Sequence, residues 1–500
     1  MKLFLISFFV FPVSIAAQLR VAPVFSDNMV LQRDKPVHFW GKGIPGKTIT
    51  ISFAKSIKKV TVKIDSSWSV YFNKQVANTK PQSVIIRSSE EKIELKNILI
   101  GDIWICSGQS NMEWTMQREM HWKEEKNFAN QPLVRFTNPP FAGKYVYGVA
   151  YADSLNRRLT KDSFYLWNGW KVCDSSTIKT MSAVAYYFAK SIVSNKNIPV
   201  GLINLSVGGA PLESFISRDV LQSNKEFAGR FTGNWLQNNN TPYWARERGQ
   251  QNVGSNPNAI GDDMGPNHAY KPGFAYEAGI VPLRSMPVMG ILFYQGESNS
   301  QEIQRVNEYA ALSKLMIDDY RKQWGQTTLP FYFVQLSSID TAKYKSHFWP
   351  KFRDEQRKML QLIPHSGMAV CSDIGSKNDV HPTNKKDVGE RLARWALNKT
   401  YHQNIVPSGP LPVNAKYVNG KIIISFQYIA KGLKTSDGNP LRGFSIDGKN
   451  DAEAILGDSG IIIPVNTKPQ FIYYGWKPFS DGNLVNSENL PASTFKISVK

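Results

Sequence analysis

A chain of 500 residues, 42% of them hydrophobic, can bury a sizeable core and has the length of two or three domains, which excludes an intrinsically disordered chain. Its formal charge of +20 is spread along the sequence, as in "KSIKKVTVK" and "TNKKDVGERLAR", with no basic arm and no helix-turn-helix or RNP-like motif. This reads as a solvated basic surface rather than a nucleic-acid binder, and the surplus also suits an acidic sugar. Three cysteines are too few for a disulfide scaffold, no CxxC, HExxH or EF-hand spacing occurs, and seven scattered histidines make no metal cluster.

Residues 1–17, "MKLFLISFFVFPVSIAA", combine one lysine, an apolar run and small residues at the end, the pattern of a cleaved signal peptide. A secreted or periplasmic protein is expected. No later stretch reaches the roughly 18 apolar residues of a membrane helix. From 18 to 98 short β-branched runs ("PVHFWGKG", "KTITISFA", "WSVYFNKQV") are separated by turn signals such as "GIPGK", which predicts an N-terminal β-sandwich-like domain.

From 99 to 403 the pattern changes. Apolar runs bounded by glycine ("IGDIWICSG", "VGLINLSVGG", "VMGILFYQG", "PFYFVQLS", "GMAVCSD") alternate with helical periodicity. In one predicted helix Tyr309, Leu312, Met316, Tyr320 and Trp324 form a single apolar stripe, the signature of core packing. Continuous apolar strands alternating with helices predict an α/β domain with a parallel sheet covered on both faces. Cys106 and Cys371 fall in such strands and read as buried free thiols. Stretches 115–180 and 228–275, rich in Trp, Asn, Pro and Gly, read as long insertions, and 404–500 returns to strands as a C-terminal β-rich region.

Ligands of an open parallel sheet bind outside the carboxyl ends of its strands. Four polar loops meet there: Gly108 to Asn111, Gly208-Gly209, Gln295 to Asn299, and Asp379-Val380-His381-Pro382. A serine hydroxyl is a weak nucleophile without a base, and an imidazole titrates near working pH, so Ser110 with His381 is the pair that ester cleavage asks for. The tetrahedral oxyanion needs preorganised donors. The backbone N–H groups of Ser110 and Gly209 are candidates, with the Gln295 amide as a third.

The loop "GQSNM", the turn "GLINLSVGGAPLESFIS", "MPVMGILFYQGESNS" and "DVHPTNKKDVGERLA" together resemble the sialate O-acetylesterase family of SGNH-type serine esterases, and "PVFSDNMVLQRDKPVHFWG" resembles that family's leading β-domain. The resemblance implies an SGNH three-layer α/β/α catalytic domain flanked by β regions. It also implies Ser110 as nucleophile, His381 as base and Gly209 as oxyanion donor, with Gln295 where the wider superfamily carries asparagine. The wider pattern places an acid three residues before the histidine, and Asn378 stands there. The third triad member is therefore open between Asp379, Asp373, Glu297 and a backbone carbonyl. Glu297 also reads as a brace for the serine loop, with Asn111 as a supporting residue.

The function implied is removal of O-acetyl groups from sialic acids or similar sugars through an acetyl-enzyme, with an O-acetylated saccharide as partner and no cofactor. An acetyl xylan deacetylase working by the same mechanism is the alternative, and a non-catalytic carbohydrate-binding protein a weaker one, since both Ser110 and His381 are present. The loop "FTGNWLQNNNTPYWARERG" offers aromatic platforms and, in Arg246 or Arg248, a guanidinium for a sugar carboxylate.

Overall fold

The computed structural model describes residues 18–458 and 460–500, so the predicted signal peptide lies outside the described residues. The strand β1 (Lys92–Gly108) organises the molecule. Along its first half it pairs antiparallel with Asn78–Arg87 and parallel with Val30–Gln32. Along its second half it pairs parallel with two strands of the central sheet, and eleven strands join in one sheet.

The central strands follow as β2 (Gln131–Thr137), β3 (Lys171–Cys173), β4 (Val200–Asn204), β5 (Gly290–Tyr294), β6 (Phe331–Val334) and β7 (Ser366–Ala369). Their order is β3-β2-β4-β1-β5-β6-β7, parallel except for the β3 edge. The expected parallel sheet is thus a mixed one, because the short β3 returns beside β2 without a crossover. β4 and β5 are buried at every position, which explains why their sequences run apolar without alternation.

Helices cover both faces. Trp104 of β1 packs on Phe188 of α2 (Ala183–Lys196), while Phe293, paired with Ser107 and so of opposite parity, packs on Phe215. The α3 helix (Ile303–Gln323) lies on the Phe293 side, where its Tyr320 hydroxyl donates to the Phe215 carbonyl. Tyr309, Leu312, Met316 and Tyr320 are buried as the stripe predicts, and Trp324 sits just past the helix, donating to the Met286 carbonyl. α4 (Trp349–Leu362) packs on α3 through Phe352 and Tyr309, with ring centroids 4.4 Å apart. α5 (Lys386–Trp395) packs on α2, and Gly389 is required there, since a Cβ would stand 2.6 Å from the Val184 carbonyl oxygen.

The expected domain boundary between 98 and 99 falls inside β1, and one hydrophobic core runs from Leu19 to Leu411. The N-terminal β region is therefore not separate from the α/β region. Asp102 fastens the two: fully buried, it accepts from Gln32 at 3.0 Å, Arg33 at 2.8 Å and Tyr401 at 2.9 Å. The C-terminal region does have its own core, built on Ile422, Ile424, Phe444, Ile461, Ile463, Tyr474 and Phe495. In the insertions, tryptophans pin loops: Trp170 donates to the Val24 carbonyl and Trp235 to the Pro266 carbonyl. All three cysteines are free and buried, and burial pushes the Cys371 thiol up to about 12. No helix among the described residues is long and apolar enough to cross a membrane.

Arg353 of α4, with no exposed surface, holds the C-terminal region to the sheet by donating to the carbonyls of Gly475 at 2.9 Å, Lys477 at 2.5 Å and Pro478 at 3.3 Å, and to Ser338 Oγ at 3.0 Å. Arg353→Met leaves these acceptors buried without a donor and is expected to cost about 3 kcal/mol. Urea unfolding measures the loss, and limited proteolysis is expected to cut first within 404–500.

Candidate active site

The residue pairing of β1 with β5 ends at Gly108 and Tyr294. Gly108 has φ +121°, and a Cβ there would lie 2.1 Å from the Tyr294 carbonyl oxygen, so only glycine permits the turn. The next residue, Gln109, donates its N–H to that same carbonyl at 2.9 Å and precedes the short helix α1 (Ser110–Glu113). Ser110 is thereby delivered at the strand's carboxyl end, where the sheet order reverses direction around β1. β1 has β4 on one side and β5 on the other, so the loops following these strands surround the serine.

His381 meets it. Its Nε2 lies 2.8 Å from Ser110 Oγ, a hydrogen bond in which the neutral imidazole accepts the hydroxyl proton. Of the four orienting groups left open, Asp379 is the one beside the ring: its Oδ1 is 3.5 Å from His381 Nδ1 and accepts the His381 backbone N–H at 2.9 Å. The Asp379 side chain is 59% exposed, so its attraction is screened by water. Asp373 is paired with Arg391 through two bonds of 2.7 Å, and Asn378 is exposed. The indole of Trp114 stacks on the imidazole, ring centroids 5.5 Å apart, and fixes its plane.

Opposite the histidine is the Gly208-Gly209 turn. A Cβ on Gly208 would stand 3.8 Å from Ser110 Cβ, so the turn passes directly beside the serine. Glu113 Oε2 accepts the Gly208 N–H at 2.9 Å, and Glu113 is held in turn by Lys144 at 2.9 Å. Tyr270 donates to the Gly208 carbonyl at 2.8 Å and Ser298 to the Gly209 carbonyl at 2.8 Å. Gly209, at φ +76°, keeps its own N–H without a hydrogen-bond acceptor among the described residues. A fixed turn with one free N–H beside a serine is what an oxyanion requires.

Gln295 differs from expectation. It is buried, and its amide nitrogen has protein acceptors at Asn299 Oδ1 (2.8 Å), Ala210 O (3.3 Å) and Gln109 Oε1 (3.3 Å), while its oxygen accepts from Tyr309 at 2.7 Å. With two hydrogens and three acceptors the amide has none to offer an oxyanion; it ties the Gln295 loop to the serine loop.

Beneath Ser110 is a charged network. Asn111 donates to Glu297 Oε1 and to the Val380 carbonyl at 3.0 Å, and accepts from Lys385 Nζ at 2.5 Å. Glu297 is thus a brace rather than the partner of His381. Burial raises its carboxyl to about 7, opposed by the Asn111 bond and by Lys385. Burial likewise lowers Lys385 to about 7, opposed by Glu297. The His381 imidazole is pushed down to about 4, first by burial and then by Lys385 and Arg118, with Asp379 pulling the other way.

Lys385 was not among the candidates, because "TNKKDVGERLAR" reads as a solvated basic stretch. The available signal is spacing: positions 385, 388, 389, 392 and 396 are buried, so the helix stripe continues backward to the lysine. A cavity of about 440 Å³ opens in the insertion, lined by Asn234, Gln250 and Asp262 among others, and neither Ser110 nor His381 lines it. The hydrogen-bonded pair of Ser110 and His381, and not this cavity, is the candidate reacting centre. Among the described residues no group of three His, Cys, Asp or Glu side chains is gathered for a metal ion.

A family profile described as carbohydrate esterase, sialic acid-specific acetylesterase, matches residues 246–398, which include Gln295, Glu297 and His381. The sialate O-acetylesterase of Homo sapiens is 28% identical over 440 residues, covering 82% of this chain and 76% of the human protein. That of Mus musculus is 25% identical over 446 residues, covering 82% and 79%. The chain is a relative of the sialate O-acetylesterases. The likeness extends to the fold of a carbohydrate acetylesterase from Xanthomonas citri, with a TM-score of 0.77 at 26% identity over 96% of this chain and 99% of that one. The stretch matched to the human sialate O-acetylesterase is far longer than the profile's, and Ser110 lies outside the profile.

With its imidazole pushed down to about 4 from an ordinary 6.5, His381 stays in its base form through the neutral and mildly acid range. Hydrolysis of a neutral acetyl ester is expected to hold its kcat/KM as pH falls through 6.5 and to lose half of it near 4, read from a pH-rate profile. Asp379→Asn is expected to lower kcat by about 10- to 100-fold, short of the roughly ten-thousand-fold loss when a buried triad aspartate is replaced.

Proposed function

We propose that the chain is an SGNH-type serine esterase that removes O-acetyl groups from sialic acids or closely similar acetylated sugars. The observation that carries this reading is the 2.8 Å contact of Ser110 Oγ with His381 Nε2 beside the free Gly209 N–H. Supporting it are the serine at the end of a central parallel strand and the sialate O-acetylesterases among the relatives.

In this mechanism Ser110 Oγ attacks the acetyl carbonyl carbon while His381 Nε2 takes its proton. The oxygen of the tetrahedral intermediate accepts the N–H groups of Ser110 and Gly209, each worth about 2.7 to 4 kcal/mol in the transition state. His381 then gives the proton to the departing sugar oxygen, leaving Ser110 acetylated. Water attacks this ester with His381 again taking a proton, and acetate leaves as the proton returns to Ser110. Asp379 orients the imidazole and favours its protonated form as each intermediate develops. The apolar segment 1–17 supports export of the protein, to the periplasm or outside the cell.

Ser110→Ala is expected to reduce turnover of 4-nitrophenyl acetate by at least about ten-thousand-fold with an unchanged circular dichroism spectrum; substantial remaining activity would sink the assignment. Acetate release is expected to be faster from 9-O-acetyl sialic acid than from acetylated xylan, and a strong xylan preference would overturn the substrate.

A further inference from the structure

The wall of the site beyond the Gly208-Gly209 turn is aromatic. A Cβ on Gly208 would lie 3.5 Å from the Tyr147 hydroxyl, and one on Gly209 would lie 2.8 Å from the Trp244 ring. Behind both rings is Arg248, its guanidinium carbon 5.1 Å from the Tyr147 centroid and 5.6 Å from that of Trp244. Arg248 is half-buried, and its Nε and Nη1 are enclosed without a hydrogen-bond acceptor. It forms no ion pair among the described residues. Arg246, the other arginine of this segment, is spent on the Thr241 carbonyl at 3.1 Å.

Two guanidinium nitrogens enclosed without an acceptor are costly, because their N–H groups have left water and gained only ring faces, while Nη2 is not among the enclosed atoms. A planar fork of donors matches a carboxylate. Its neighbours supply no competing anion: Glu113 is engaged by Lys144, and Tyr270 and Tyr151 are hydrogen-bonded to the Gly208 carbonyl and to His268. Burial, reinforced by the Arg248 charge, holds His268 neutral, its pKa pushed down to about 3.

We propose that Arg248 is the substrate's carboxylate anchor, holding the acid group of an O-acetylated acidic sugar one aromatic ring away from Ser110. The proposal rests on the sialate reading above and assigns the residue that selects for acid. Tyr147 and Trp244 then flank the sugar between the anchor and the oxyanion turn.

The experiment compares kcat/KM for 9-O-acetyl sialic acid with that for its carboxamide, a neutral isostere, so that each enzyme supplies its own reference and misfolding cancels in the ratio. The wild-type ratio of acid to amide is expected to be about 30 or more, falling to within about threefold of one in Arg248→Gln and to an intermediate value in Arg248→Lys. A wild-type ratio near one, with both sugars cleaved, overturns the anchor and leaves the esterase reading standing. A ratio that survives in Arg248→Gln but collapses in Arg118→Gln also overturns it, by moving the subsite to the His381 side. Cleavage of 4-nitrophenyl acetate with neither sugar turned over overturns the sialate reading itself, and the anchor with it.

Discussion

The Asn111 side chain holds the reacting centre together. One amide joins the loop carrying Ser110 to the Val380 carbonyl next to His381, to Glu297 after β5, and to Lys385 before α5. These partners lie 186 to 274 residues from Asn111 in sequence, yet they converge on its two side-chain atoms, Nδ2 and Oδ1, through three hydrogen bonds. A buried carboxyl and a buried ammonium are each expensive in isolation. Set on either side of one amide they offset each other, and a displaced loop would leave a charge stranded. That penalty keeps the Ser110 and His381 loops in register.

The same network keeps the His381 imidazole from taking up a proton. Lys385 and Arg118 oppose a positive ring, the ring is largely buried, and Asp379 is too exposed to reverse the balance. In the proposed mechanism a proton taken by His381 is therefore readily given up to the leaving group. The indole of Trp114 restricts the ring to one plane, so what Asp379 lacks in strength is supplied partly by packing.

Around this centre β1 sets the geometry of the larger body. It is shared between the N-terminal strands and the central sheet, and buried Asp102 locks the junction at its middle. The N-terminal region therefore stiffens the strand whose end carries Ser110. The C-terminal region is attached differently, through Arg353 and a separate apolar core. It braces α4, while the Gln356 side chain of that helix accepts the Leu336 N–H at 2.8 Å and donates to the Val334 carbonyl at 3.0 Å, at the end of β6.

Much of this was legible in the sequence. The apolar runs ending in glycine located β1, β4 and β5, and the helical stripe located α3, because strand periodicity and loop composition are local properties; the chemistry of ester cleavage put forward Ser110, His381 and Gly209 as candidates. The boundary at 98 was misplaced because a change of partners along one continuous strand leaves no mark in its residues. Gln295 was read as a donor from its place at a strand end, but only packing shows its hydrogens turned to Asn299, Ala210 and Gln109. The choice among Asp379, Asp373 and Glu297 had the same character: each is a carboxylate near the histidine in sequence or topology, and only the folded chain gives Asp373 to Arg391 and Glu297 to Asn111. The sequence by itself determined which residue types stand at the strand ends, since backbone pattern and side-chain chemistry are written locally. Tertiary structure alone decided which charges are buried and paired and which, like Arg248, are left without a partner, since pairing depends on distances between segments remote in the chain.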